Sequence, residues 1–393
     1  MTPLTTEAVL DILRHSLPGE LARMRGLGEA GFTATELAAE TRLDEPPVAA
    51  DSLDRLNLAG ALNEQFRLHE TGSEDRLLRM RDLGGIADLI ARASGHTSGM
   101  VFHSSGTTAT PEAHFHPWKH LQQEAMWLSN LFTGRRRVLA WLPPQHLYGF
   151  MFGIALPGVA GLPARRGEAA AREVLHPEPG SLLATVPERW RYLLRSLDRF
   201  PPDLVGVSSG APLDEELRRD LLKAGLRDLV EIYGSTETGA VGLRRGTEEA
   251  YSLIGYWQRE GEDQIRRMDH DRHGDKIQLP DRLSWTGRRF LPRGRRDGQV
   301  QIGGVNVNPD AVAEQLRALP GVGECSVRPY ETPSGTRLKA FVVPDDPSRT
   351  DPGQLEVRIR EQLPAEQCPA RIDFGERLPR NALGKPTDWE HAS

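Results

Sequence analysis

The sequence predicts an α/β protein with a large, mostly parallel-sheet amino-terminal domain and a small α+β carboxyl-terminal domain. Three observations predict it. Short apolar runs alternate with helical patterns from about residue 97, the hundred residues before that are helical in periodicity, and the last part reads helix, strand, strand, helix. The 393 residues are enough for two or three domains at ~100–200 residues each.

Taken in order, residues 6–22 space Val9, Leu10, Ile12, Leu13 and Leu17 along one helical face behind a Thr-Thr-Glu start. A second helical run covers roughly 50–70 and a third ends in DLGGIADLIARAS. Residues 1–96 are therefore expected to be a helical segment. Within 97–294, the expected core, VLAWLPP, LLATVPE, LVGVSSG and LVEIYGS read as buried strands ending in loops. PWKHLQQEAMWLSNLF, opened by Pro117, and LDEELRRDLLKAG are the helices between them. Ligands of such sheets bind beyond the carboxyl ends of the strands, so chemistry belongs in the strand-terminal loops. The stretch 257–298 is rich in Arg, Asp and Gly, and an exposed connection is expected there. Residues 295–393 then hold PDAVAEQLRAL and QLEVRIREQL as helices and ECSVRPYE and RLKAFVVPDD as strands, a unit of a size that folds alone.

Composition excludes several classes. With 49 Lys+Arg against 55 Asp+Glu the formal net charge is −6, which gives no general field for nucleic acid or an anionic membrane. Two cysteines, Cys325 and Cys368, exclude a disulfide framework and a four-cysteine zinc site. No run of about 18 apolar residues suggests a membrane span, and MTPLTTEAVLDIL lacks a secretory signal's basic start. A soluble, cytoplasmic protein is expected. Gly26, Gly28 and Gly31 form a GxGxxG, but no strand precedes them, so no dinucleotide site is expected. His103, His114, His116 and His120 lack accompanying ligands at zinc spacing, and a polar loop explains them better.

Four segments carry chemistry. HSSGTTATPEAHFHP surrounds Gly106 with Ser104, Ser105, Thr107 and Thr108, so hydroxyls and backbone N–H groups can converge on a phosphate without side-chain bulk. YGSTETG follows the apolar run LVEI and sets Tyr233, Gly234, Ser235, Thr236, Glu237 and Gly239 at a strand end. Glu237 there could hold a magnesium ion, which takes carboxylate and phosphate oxygens. GRRDGQVQIGGVNV and the tail loop NALGKP are each weak alone.

The order of these four segments, over roughly 97–390, resembles the adenylate-forming superfamily of acyl- and aryl-acid ligases. LPPQHLYGF is similar to that family's loop beside the acid pocket, with His146. VSSGAPLDEEL is similar to the strand and turn lining the acyl site, with Ser209, Gly210 and Ala211. The resemblance implies a shortened adenylate-forming fold whose substrates are ATP and a small, preferably aromatic, carboxylic acid. Mg2+ assists, and the acceptor is a thiol of coenzyme A or an acyl carrier protein. It implies that Lys385 and Thr236 serve the adenylation step and that Glu237 holds Mg2+. Ser104 through Thr108 would face the phosphates. Gly210, Ala211, Tyr233, Gly234 and Ser235 would face the nucleotide. Asp281 and Arg295 would reach the ribose, Asp297 would mark the hinge, and His146, Ser209 and Gly239 would face the acid.

Departures from the pattern are visible. Ala109 and Glu112 stand where the phosphate loop usually has Gly and Lys, Thr286-Gly287 is followed by Arg288 rather than Asp, and Gln301 replaces the lysine after the hinge. Two other readings therefore stand beside the ligase. One is a non-catalytic scaffold binding nucleotide or a carrier protein, and the other is adenylation of a non-carboxylate co-substrate. The segment around Ser52 also resembles the serine segment of acyl carrier proteins, although Asp51-Ser52 makes an ordinary helix cap. A reduced ligase subdomain is the expected role of 1–96.

Overall fold

A computed structural model describes residues 4–27, 31–104, 112–268, 273–296, 298–332, 335–346, 350–379 and 389. The chain divides into two compact units, one formed by Met1–Ser104 with Ala113–Gln258 and the other running from Arg259 onward.

The larger unit begins with helices. Thr6–Met24 starts where the Thr5 hydroxyl accepts the Ala8 N–H. Ser52–Phe66 starts at a reciprocal cap, in which Asp51 accepts from Asp54 N–H at 2.8 Å and Asp54 accepts from Asp51 N–H at 3.3 Å. Ser52 is the first residue inside that cap. Arg25 joins the two helices by pairing with Asp54 at 2.7 Å. A third helix, Leu83–Ser94, is capped by Asp82.

Next come β1 (Gly99–His103) and β2 (Ala113–Pro117), an antiparallel pair. The main sheet holds β3 (Arg137–Ala140), β4 (Ala164–Arg166), β5 (Ser181–Thr185), β6 (Val205–Ser208), β7 (Asp228–Ser235), β8 (Gly239–Arg245) and β9 (Tyr251–Leu253). Their order is β9-β8-β7-β6-β5-β3-β4. The strands from β7 to β4 are parallel, and β8 and β9 return antiparallel. Every residue of β5 and β6 is buried, as expected of strands covered on both faces. Trp190, Leu193, Leu217 and Leu221, from helices Pro187–Ser196 and Glu215–Lys223, build one side of that core. Strand order reverses at β3, with β4 on one side and β5 on the other, and a ligand crevice forms at such a point.

The stretch expected as an exposed connection is β-structure instead. Strands Gln264–Met268 and His273–Gln278 pair antiparallel, as do Asp281–Thr286 and Arg289–Arg295. Its charged residues hid the pattern because they pair with one another, as Arg266 does with Glu260 at 3.0 Å and Arg296 with Asp263. A short hairpin, Val300–Ile302 with Val305–Val307, precedes helix Pro309–Arg317. Strands Val322–Thr332 and Gly335–Pro344 pair antiparallel, helix Pro352–Gln362 follows, and Arg371–Phe374 runs parallel to the second strand. Val312, Leu316, Leu338, Val342, Leu355 and Ile359 are the core of this part. Among the described residues no helix is long and apolar enough to cross a membrane.

Candidate active site

Because β3, β5, β6 and β7 are parallel, their carboxyl ends share one edge, and the loops leaving that edge carry His146, Ser209, Gly210, Ala211, Thr236 and Glu237. Ser208 ends β6, and Ser209, Gly210 and Ala211 follow as a turn. Gly210 has φ +88°, where an L side chain is strained, while a Cβ would meet nothing closer than 3.7 Å. Backbone geometry rather than crowding favours glycine there.

The YGSTETG segment is the turn between β7 and β8. Thr238 N–H donates to the Ser235 carbonyl at 3.3 Å, and Ser235 N–H donates to the Thr238 hydroxyl at 3.2 Å. Tight packing dictates its glycines. A Cβ on Gly234 would lie 2.1 Å from the Gly239 carbonyl, and one on Gly239 (φ +71°) would lie 2.5 Å from the Glu124 carboxylate. Thr236 and Glu237 are left half-buried at the tip. Two residues outside the expected set hold this turn. His116 donates from Nε2 to the Thr236 carbonyl at 2.7 Å, and the buried Glu124 accepts the Ala240 N–H at 3.2 Å. A carbonyl can only accept, so the Nε2 of His116 carries the proton. The signal for His116 was present in the histidine-rich stretch, but nothing local pointed to a partner 120 residues away.

His146 caps helix Leu147–Phe150 at the end of the loop leaving β3. The residue is exposed by surface area, with other protein groups near its ring. Desolvation first, and the nearby His103 second, hold its imidazole pKa below the ordinary value. His103 itself lies 3.9 Å from the Glu64 carboxylate. Two contacts fix the loop. Gln145 donates to the His15 carbonyl at 3.1 Å, and Gly149 packs so closely that a Cβ would come within 2.0 Å of the Pro143 carbonyl.

In the second unit, Asp281 and Arg295 stand directly opposite one another across their antiparallel hairpin. Gln301 lies on strand Val300–Ile302. Ser105, Gly106, Thr107, Thr108, Ala109, Asp297 and Lys385 lie outside the described residues.

This set suits a nucleotide triphosphate with magnesium. Tyr233 offers a half-exposed aromatic ring at a strand end, and the 209–211 turn offers backbone with little side-chain bulk. The Glu237 carboxylate has no ion-pair or hydrogen-bond partner among the described residues. Among those residues no cluster of three metal-ligating side chains gathers. A single carboxylate fits magnesium, which keeps water and phosphate oxygens as its other ligands.

Comparison with known proteins agrees in direction. A family model described as AMP-binding enzyme matches residues 35–261, and one described as AMP-binding enzyme C-terminal domain matches 311–385. The chain is 47% identical to a 4-coumarate–CoA ligase of Halorhodospira halophila, over 98% of this chain and 100% of that one. It is 38% identical to a 4-coumarate–CoA ligase of Rhodobacter capsulatus, over 93% and 94%. In fold it is similar to an o-succinylbenzoate CoA synthetase of Bacillus subtilis bound to a product analogue, with TM-score 0.59 and 18% identity over 80% of this chain and 73% of that one.

Proposed function

The chain belongs to the AMP-binding enzyme family, and on that premise we propose that it is an AMP-forming acid–thiol ligase acting on 4-coumarate or a close hydroxycinnamate, with coenzyme A as acceptor. The observation that carries this reading is the β7–β8 turn. It sits at the carboxyl end of a central parallel strand, its Thr236 carbonyl is fixed by His116, and the Glu237 carboxylate has no partner among the described residues. Similarity to ligases of that acid over nearly the whole chain supports the substrate class.

The chemistry is two displacements. A carboxylate oxygen of the acid attacks the α-phosphorus of ATP, and pyrophosphate leaves. The sulfur of coenzyme A then attacks the acyl carbon, AMP leaves with the carboxylate oxygen, and the thiol proton passes to solvent or a base. The first step brings two anions together and needs fixed positive charge and oriented donors. Lys385 takes that part in this reading, with Thr236 beside the α-phosphate and Glu237 holding Mg2+. Ser104 through Thr108 cradle the phosphates, Tyr233 flanks the adenine with Gly210, Ala211, Gly234 and Ser235, and Asp281 and Arg295 take the ribose hydroxyls. His146, Ser209 and Gly239 face the acid. The polar loop has no lysine at Glu112 to hold pyrophosphate, so more of that task falls to its hydroxyls.

The proposed division of labour makes 97–294 the adenylating core and 295–393 a part that turns about Asp297 between the two steps. Such a turn would shield a hydrolysable adenylate from water. Residues 1–96 serve as a reduced ligase subdomain in this reading. The start of the family match at residue 35, and the place of Ser52 behind a formed cap, support that role over a carrier-protein one.

ATP–pyrophosphate exchange across hydroxycinnamates, hydroxybenzoates and fatty acids tests the reading, with Lys385→Ala as control and thioester formation followed with coenzyme A. Exchange and thioester with hydroxycinnamates, both lost in the variant, are expected. ATP binding without exchange on any acid would overturn it.

A further inference from the structure

Glu231 lies on β7 two residues before Tyr233 and is 2% exposed. Directly opposite it on β8 stands Arg244, whose Nε donates to Glu231 Oε2 at 2.7 Å. The remaining bonds of this pair go to Leu213, to Tyr251 and to the Glu249 carbonyl, which accepts from Arg244 Nη1 at 2.9 Å. Glu231 Oε1 accepts the Leu213 N–H at 3.0 Å, and Arg244 Nη2 donates to the Leu213 carbonyl at 3.2 Å. Both backbone groups of Leu213, two residues beyond Ala211, are therefore held by one ion pair. Glu231 Oε1 also accepts the Tyr251 hydroxyl at 2.6 Å, and the Arg244 guanidinium lies 4.6 Å from the Tyr251 ring centroid. The Tyr251 ring in turn packs against that of Tyr233, centroids 5.5 Å apart and planes at 52°.

A buried ion pair is a poor source of net stability, because desolvation consumes most of what the charges gain. Its worth lies in direction, since each bond fixes an angle and a wrong register leaves a charge unpaired. Here the directed bonds reach the loop carrying Ser209, Gly210 and Ala211 on one side and the ring touching Tyr233 on the other. Those two groups lie on different strands, and the sheet ladder does not reach the loop. The pair supplies the missing tie.

We infer that Glu231, with Arg244 and Tyr251, is a positioning device for the nucleotide, setting the 209–213 loop and the Tyr233 ring at the separation an adenosine needs. The inference rests on the ligase reading above and deepens it. None of the three residues need touch the nucleotide. Their effect passes through Leu213 and Tyr233.

The test uses the full chain. Pyrophosphate exchange is measured against ATP at saturating acid and against acid at saturating ATP, and AMP binding is measured by calorimetry. Tyr251→Phe removes one hydroxyl and leaves both charges paired; it is expected to raise the KM for ATP and the Kd for AMP about 3- to 10-fold. Tyr251→Leu also removes the ring against Tyr233, and Glu231→Gln unbalances the pair; each is expected to raise both values further. The KM for the acid should stay within about twofold throughout. Melting temperatures are recorded for each variant, and where Glu231→Gln does not fold, the two Tyr251 variants carry the test. A merely structural role would lower the melting temperature and the active fraction while leaving the KM for ATP and the Kd for AMP unchanged, and that result overturns the inference. A wild type that binds AMP but exchanges with no acid refutes the ligase reading alone, since the AMP titrations still decide the positioning role. A wild type that binds no AMP overturns both.

Discussion

His116 on β2 holds the carbonyl oxygen of Thr236 at 2.7 Å from its Nε2, across 120 residues of sequence. In the chain, β1 and β2 flank the hydroxyl-rich glycine loop, and Thr236 belongs to the turn that also carries Glu237. One imidazole proton thus ties the hairpin of the proposed phosphate loop to the proposed α-phosphate contact. The Phe102 and His116 rings pack in a T-shaped contact, centroids 5.7 Å apart and planes at 74°. Replacing His116 by Leu should cut the kcat of pyrophosphate exchange about 3- to 10-fold, the range of one neutral hydrogen bond. His116→Gln, which retains an N–H donor, should recover part of the loss. Equal losses in the two variants would show that ring packing, not the proton, matters.

His146 supplies a pH prediction. Desolvation, then His103, lowers its pKa from the ordinary ~6.5 and so favours the neutral imidazole. The sign follows directly. Near pH 6 the unfolded chain takes up this proton more readily than the folded one, so His146 contributes stability above the ordinary value that is lost as pH falls toward the folded value. NMR titration of the ring protons should give a midpoint below ~6.5 that moves up in His103→Gln. An unmoved midpoint would remove His103 from the account.

Glu70 works in the same direction with a different cause. Burial alone would raise its pKa, but the Ser98 hydroxyl and N–H, at 2.7 and 2.6 Å, and Arg67, at 2.6 Å, outweigh it and bring the value to about 2. Its folded pKa is depressed, so its stabilisation is present at neutral pH and lost as pH falls from the usual carboxylate range toward about 2. Glu70→Gln should melt below the wild type at pH 7, and the gap should narrow progressively from about pH 4.5 down to about 2. A gap independent of pH would assign the loss to packing.

The strands and helices of the larger unit were legible because parallel strands buried on both faces leave apolar runs such as LVGV and LVEI. The candidate site was legible where glycines and other small residues cluster at 209–211 and 233–239, since such clusters mark turns. Three things were not. The 259–296 strands pair charge with charge and show no apolar alternation. His116, Glu124, Glu231 and Arg244 act through partners distant in sequence, and a lone charged or imidazole group in a strand or helix has no local signature. The closeness of Gly149 to Pro143 is a tertiary contact between two residues that read individually as ordinary loop formers.

Gly149 gives the sharpest steric test. A Cβ there would sit 2.0 Å from the Pro143 carbonyl, so Gly149→Ala must shift the loop that positions His146. The expected cost is about 1–3 kcal/mol in stability, with the KM for the acid raised more than the KM for ATP. Gly158→Ala is the control. That glycine lies in helix Leu156–Ala160 with open space around its Cβ position, and the change should be neutral or stabilising by up to about 1 kcal/mol. Similar losses in both would mean that the 143–149 contact carries no special load.

Asp281 and Arg295 face each other across one hairpin, although 14 positions separate them. A carboxylate and a guanidinium side by side can accept from one ribose hydroxyl and donate to its neighbour, a division of labour that neither could perform alone. If they do so, the wild type should use ATP better than 2′-deoxy-ATP or 3′-deoxy-ATP by about tenfold or more, because a hydrogen bond to a charged group is the stronger kind. Asp281→Ala should erase the preference at one hydroxyl and Arg295→Ala at the other, each by raising the KM for ATP toward that of the deoxy analogue. The deoxy analogues themselves should lose little further in the matching variant, since the partner is already gone. A preference for ATP that survives in Asp281→Ala would return the ribose contact to a residue outside this hairpin, and Asp281 would then be a surface carboxylate that merely accompanies Arg295.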